Sequence, residues 1–193
     1  MINITFIGSC QTVGLCFFFQ QLLKKKKNDY YVSWLLYSED FKQHLREWSN
    51  KCENKMLNYQ QSMEQIKKSD VIIYQNINES KCNFSNPTFL NQLKKESCIL
   101  IQISCIHFDY SDFQKSLEEL KKREIQKGVD IKVSKIIEKY PKYKMMLSIY
   151  HPNTFLFLQI MKEILLVLNM DFFSMEEYHY YCKNEDFMNL GRL

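Results

Sequence analysis

Gly8-Ser9-Cys10-Gln11 is the segment of this chain whose residue types are best suited to chemistry. It stands between Ile2 to Ile7, an apolar run that reads as a buried strand, and Gln11 to Leu23, which reads as a helix. A glycine allows a tight strand-to-helix turn without Cβ strain. The residues after it fall at a helix N-terminus, where unpaired backbone N–H groups point outward. A thiol in that position feels the positive end of the helix dipole, so a depressed pKa is expected for Cys10. The same N–H groups, together with Gly8, Ser9 and Gln11, can hold an oxyanion or a phosphate. Set against this, a buried cysteine that only packs under the turn is common.

Three other segments carry suitable groups. His151, in Tyr150-His151-Pro152-Asn153, precedes a long apolar run and is placed to act as a base. His107, followed by Asp109, comes after a strand candidate and is its main rival. His44 and His179 sit in amphipathic surroundings and read as surface or packing residues. Gln75-Asn76 closes the run Val71 to Gln75, where an amide can donate to a developing oxyanion or a substrate hydroxyl.

The elements that must position these groups are legible as apolar runs. Val32 to Tyr37, Val71 to Gln75 and Cys98 to Ile103 are short, continuous and bounded by polar residues, as expected for strands covered on both faces. Glu39 to Lys68 reads as one or two surface helices. Asp112 to Lys127 reads as a helix capped at Ser111 or Asp112 and ended by Gly128. Asp130 to Tyr140 reads as another, closed by Pro141. Pro152 to Leu168 reads as a long apolar helix with proline in its first turn. Strands alternating with helices imply a three-layer α/β/α sandwich with a mostly parallel sheet. The ligand crevice of such a sheet lies at the carboxyl ends of its strands. That places Gly8 to Gln11 beside Gln75 and Asn76, residues far apart in the chain.

Composition narrows the function classes. The chain has 193 residues, 46% hydrophobic and 25% charged, enough for one domain (1–193), with 171–193 as a helical C-terminal extension. The net charge is +4 and the basic residues, of which only Arg46, Arg123 and Arg192 are arginine, are spread out, so charge alone does not argue for nucleic acid. The heavy use of Lys, Asn, Ile, Tyr and Phe reads as codon bias, which weakens arguments from the Lys24 to Lys27 run. The seven cysteines form no C-x-x-C pair, which argues against zinc ribbons and disulfide frameworks. No metal is expected, and reduced thiols suit a cytoplasmic location. The stretch Phe155 to Leu168 is broken by Gln159, Lys162 and Glu163, so no membrane span is expected.

The blocks together resemble the SGNH hydrolases, with Cys10 at the nucleophile position, Asn76 or Gln75 near the oxyanion position and His151 as base. The chain departs from that pattern in its Cys nucleophile and in Ser148, where the family has Asp three residues before the histidine. Ile7-Gly8-Ser9-Cys10-Gln11, Ser69 to Gln75 and His151-Pro152-Asn153 resemble more closely the WcbI-type family of polysaccharide-biosynthesis acetyltransferases, with Ser9 where that family has Asn. The resemblance implies an SGNH- or flavodoxin-like sandwich. It also implies acetyl-CoA (or coenzyme A) as co-substrate and acetyl transfer to a sugar nucleotide or glycan acceptor. Lys142 and Lys144 are candidates for the CoA phosphates, and His107, Asp109 and Asn153 for the acceptor. Two alternatives stand beside this reading: an esterase or deacetylase with water as acceptor, and a non-catalytic glycan-binding module. A homo-oligomer is left open.

Overall fold

The computed structural model describes residues 1–23, 29–36, 59–76 and 86–170. These fall into two compact units, one ending at Cys105 and the other beginning at Ile106. Lys24 to Lys27, residues 37–58 and the aromatic tail 171–193 lie outside the described residues.

The first unit is built on four parallel strands: β1 (Ile2–Gly8), β2 (Tyr30–Leu36), β3 (Val71–Gln75) and β4 (Ile99–Ile103), in the order β2-β1-β3-β4. Ile4 of β1 lies opposite Val32 on one side and Val71 on the other, and Val71 opposite Ile99. β3 is buried along its whole length, which is why its sequence is apolar without alternation. Helix α1 (Cys10–Leu22) covers one face, where Phe6 and Phe19 meet edge to face with ring centroids 5.5 Å apart. Helices α2 (Tyr59–Lys68) and α3 (Pro87–Leu93) cover the other face. There Ile66 and Leu90 pack with Ile7, Ile72 and Tyr74. Each fully buried aliphatic or aromatic side chain of this kind stabilises by about 1.5–3 kcal/mol. A four-stranded parallel sheet between helices is the three-layer arrangement expected from the strand pattern.

The strand order fixes where a ligand crevice opens. The crossover from β1 to β2 passes over one face, and those to β3 and β4 pass over the other, as right-handed connections require. The direction reverses between the neighbouring strands β1 and β3. Their carboxyl ends, Gly8 and Gln75, therefore flank the switch point.

The second unit contains a 3₁₀ turn (Tyr110–Asp112), helices α4 (Phe113–Lys127), α5 (Val133–Lys139) and α6 (Thr154–Val167), and an antiparallel hairpin of β5 (Met146–Ser148) and β6 (His151–Pro152). Gly128 ends α4 with φ +60, a left-handed conformation that favours glycine. Helix α5 starts at Val133, three residues later than the sequence suggests. Its N-cap, Lys132, supplies no capping oxygen. The buried carboxylate of Glu124 does so instead, accepting from the Ser134 N–H at 3.1 Å and from the Ser134 hydroxyl.

One expectation is corrected here, and one element is new. Pro152 is not in the first turn of the last helix. Asn153 is the better cap, its Oδ1 accepting from Leu156 N at 3.0 Å, and this leaves His151-Pro152 extended in the hairpin. Helix α3, a single short helix capped by Asn86 with Pro87 in its first turn, has no counterpart in the sequence reading, because seven residues give too little periodicity to detect.

Candidate functional site

In the first unit the site is a turn clamped by one amide. Ser9 is the N-cap of α1, and its hydroxyl oxygen accepts from Gln11 N at 3.3 Å. Gln75, wholly buried at the end of β3, receives both the Ser9 N–H (3.2 Å) and the Ser9 hydroxyl (2.8 Å) on its Oε1. Its Nε2 donates to Gln11 Oε1 (2.8 Å) and to the Ser104 carbonyl (3.1 Å). A primary amide has two donors and two acceptor positions, and all four are used. Gln75 thus joins β1, α1 and the end of β4 at the switch point. Its donors already have acceptors inside the protein, so this amide serves as a clamp and not as the oxyanion donor expected from its position at the strand end.

Gly8 is required by the same clamp. A Cβ there would lie 2.5 Å from Thr12 Cγ2, 2.7 Å from Thr12 Oγ1 and 2.9 Å from Gln75 Oε1. Thr12 is fixed in turn by its hydroxyl, which donates to Ser9 O at 2.7 Å.

Cys10 is the first residue of α1 and is half-buried. Its thiol pKa is raised, against the sequence expectation of a lowered one. Burial pushes it up, and this outweighs the opposing pull of the Gln11 and Cys10 N–H groups and the Ser9 hydroxyl. Cys10 is therefore a thiol, not a thiolate, near neutral pH. Asn76 follows β3 and is half-buried at the same strand end as Gln75.

The second unit holds the histidines. His151 and Ser148 are paired across the β5–β6 hairpin, and Ser148 Oγ lies 2.6 Å from His151 Nδ1. The hairpin is anchored on both sides. Phe108 N donates to Ile149 O at 2.9 Å, and Asn153 N to Met145 O at 2.8 Å. The Tyr110 hydroxyl accepts from Met145 N (2.7 Å) and donates to Tyr143 O (3.0 Å). Burial raises the Tyr110 pKa, which keeps that hydroxyl a donor. His107 is exposed and stacks on Tyr150, with centroids 4.7 Å apart and an 18° interplanar angle. Among the described residues, no hydrogen bond orients its ring.

Asp109 and Asn153 turn out to have local structural work. Asp109 Oδ1 caps the 3₁₀ turn by accepting from Ser111 N at 2.9 Å, and this bond holds its pKa below the usual carboxylate range. Asn153 caps α6 and donates through Nδ2 to Lys144 O at 2.8 Å. Lys142 and Lys144 are exposed just before the hairpin. Ser148 is the residue whose part the sequence did not reveal. Its Ser-x-x-His spacing marks it only once the hairpin is known. Among the described residues there is no group of three side chains able to hold a metal, and no helix is long and apolar enough to cross a membrane.

These features define an α/β protein with a clamped thiol turn at the switch point of a parallel sheet. Its fold is similar to that of a solved structure of WcbI, described as a novel polysaccharide biosynthesis enzyme, in its native form without a disulfide bond between coenzyme A and a cysteine. The TM-score is 0.61 at 15% identity, covering 89% of this chain and 70% of that one. At that identity the likeness is one of fold. No family model matches the chain, and no curated protein matches it.

Proposed function

We propose that this chain is a CoA-dependent acetyltransferase that moves an acetyl group from acetyl-CoA to a hydroxyl or amine of a sugar during surface-glycan or capsular polysaccharide assembly. The observation that carries the reading is the turn Gly8 to Gln11, held by Gln75 at the switch point with Cys10 opening α1. The fold likeness to a polysaccharide biosynthesis enzyme, described as lacking a disulfide bond between coenzyme A and a cysteine, supports it.

Of the two ways to move the acetyl group, the raised thiol pKa of Cys10 favours direct transfer over an acyl-cysteine intermediate. In direct transfer the acceptor oxygen or nitrogen bonds to the acetyl carbonyl carbon as its proton passes to His151. The carbon–sulfur bond then breaks, and the departing CoA thiolate takes up a proton. The Cys10 N–H group and the Asn76 amide are the proposed donors to the oxyanion. Gln75 is a positioning residue that holds the turn. Lys142 and Lys144 are the proposed partners of the CoA phosphates, and His107 the proposed contact for the acceptor sugar.

Isothermal titration of coenzyme A and acetyl-CoA into the wild-type protein and a Cys10→Ala variant tests this reading. Micromolar binding to both proteins is expected. Absence of binding at millimolar CoA would remove the acetyltransferase reading.

A further inference from the structure

The β5–β6 hairpin brings Ser148 Oγ to 2.6 Å from His151 Nδ1, a contact between residues paired in strand register. The hairpin is not free to shear. Its tip is bonded to Phe108, its base to Asn153, and the chain entering it to Tyr110. Met146 and Pro152, opposite each other, are buried, while Ser148 is exposed and His151 half-buried. The pair is thus a polar contact at the open edge of a well-anchored ribbon.

We propose that Ser148 is a positioning residue for His151: its hydroxyl oxygen accepts the Nδ1–H bond and leaves Nε2 as the basic nitrogen. The ring nitrogen that carries the proton is set by the hydrogen bond made at the other nitrogen. A serine oxygen can accept from Nδ1–H in both the neutral ring and the imidazolium. The contact therefore persists while Nε2 gains and loses a proton. Being uncharged, Ser148 adds little to the stability of the imidazolium, unlike a carboxylate in the same place. His107 stacks on Tyr150, and among the described residues no hydrogen bond fixes its tautomer.

The catalytic part of this inference rests on the acetyltransferase reading, whereas the tautomer does not. Long-range ¹H–¹⁵N NMR of the full chain reads the His151 tautomer and pKa without substrate. The neutral ring is expected to carry its proton on Nδ1 in the wild type and in Ser148→Thr. Ser148→Ala is expected to lose that preference, and Ser148→Asp to raise the His151 pKa by about one unit. A dominant Nε2–H tautomer in the wild type, or one unchanged in Ser148→Ala, overturns the proposal. In parallel, CoA release from acetyl-CoA in the presence of amino sugars should show kcat about tenfold lower in Ser148→Ala, with KM unchanged and activity restored in Ser148→Thr. In Ser148→Asp the acidic limb of the pH–rate profile should move upward. If the spectra behave as stated but His151→Ala keeps full activity, the positioning role is overturned while the pairing stands. If no variant or wild type binds CoA, the acetyltransferase reading itself has failed.

Discussion

The clamped turn at the end of β1 and the hairpin that carries His151 solve the same problem in different ways. Around Gln75 every donor and acceptor of one buried amide is used, and the glycine beside it leaves no room for a methyl group. Around His151 the backbone of the ribbon is anchored, but the imidazole itself is held by one hydroxyl at a partly exposed edge. The first region is rigid because its polar groups are buried and mutually satisfied, so losing any member strands the others. The second keeps its ring half-buried, with one neutral contact at Nδ1. A buried network fixes the turn, whereas a partly exposed pair holds the imidazole.

The sharpest way to break this contrast is Gln75→Ala. It removes four hydrogen bonds and leaves stranded partners on half-buried Ser9 and on buried Gln11 and Ser104, with an expected loss of about 3 kcal/mol in denaturant unfolding. Ser148→Ala should stay within about 0.5 kcal/mol of wild type in the same measurement. Equal losses in the two variants would abolish the distinction.

Gly8→Ala comes next. The added Cβ meets Thr12, whose hydroxyl is already committed to Ser9 O, so the cost should be about 2 kcal/mol by unfolding. A neutral effect would mean that the turn can open and is not held by its clamp.

The thiol offers a kinetic comparison. Because burial raises the Cys10 pKa, its alkylation by iodoacetamide should climb about tenfold per pH unit through and beyond the ordinary thiol range. A rate already level at neutral pH would show a thiolate and return the covalent mechanism to the front.

A small effect is expected at Asp70, just before β3. Its carboxylate accepts from Asn3 N at 2.7 Å and pairs with Lys95 at 2.5 Å, contacts that lower its pKa. A depressed carboxylate pKa adds stability that is full above the unfolded value and is lost as pH falls through the folded one. Both partners are more than a third exposed, so Asp70→Asn should cost under about 1 kcal/mol at pH 7. The gap from wild type should close as the solution is acidified below the usual carboxylate range. A gap that stays constant with pH would show that the charge contributes nothing.

Much of this frame can be read from the chain alone, for a definite reason. Strands buried on both faces show as unbroken apolar runs, and Val71 to Gln75 forms a strand with those bounds. The pattern also places Gly8 to Gln11 and Gln75 at one sheet edge, and the structure bonds them together. The partners are another matter. A sequence shows that Gln75 ends a strand but not that its amide points back to Ser9 and Ser104. It shows a helix dipole acting on Cys10 but not the burial that overrides it. The hairpin was hidden because β6 is only two residues long, and proline beside a helix invites a longer helix. Ser148 looked like a departure from a pattern until strand register put it against His151.

The most direct test of the account is incubation of the protein with radiolabelled acetyl-CoA and a panel of amino and deoxy sugars, for wild type, Cys10→Ala and His151→Ala. The account predicts label on a sugar with the wild type, substantial transfer retained in Cys10→Ala, and transfer reduced by about 10²-fold or more in His151→Ala. Label trapped on Cys10, with Cys10→Ala inert, would contradict direct transfer. Free acetate with no labelled sugar would point to hydrolysis instead of transfer.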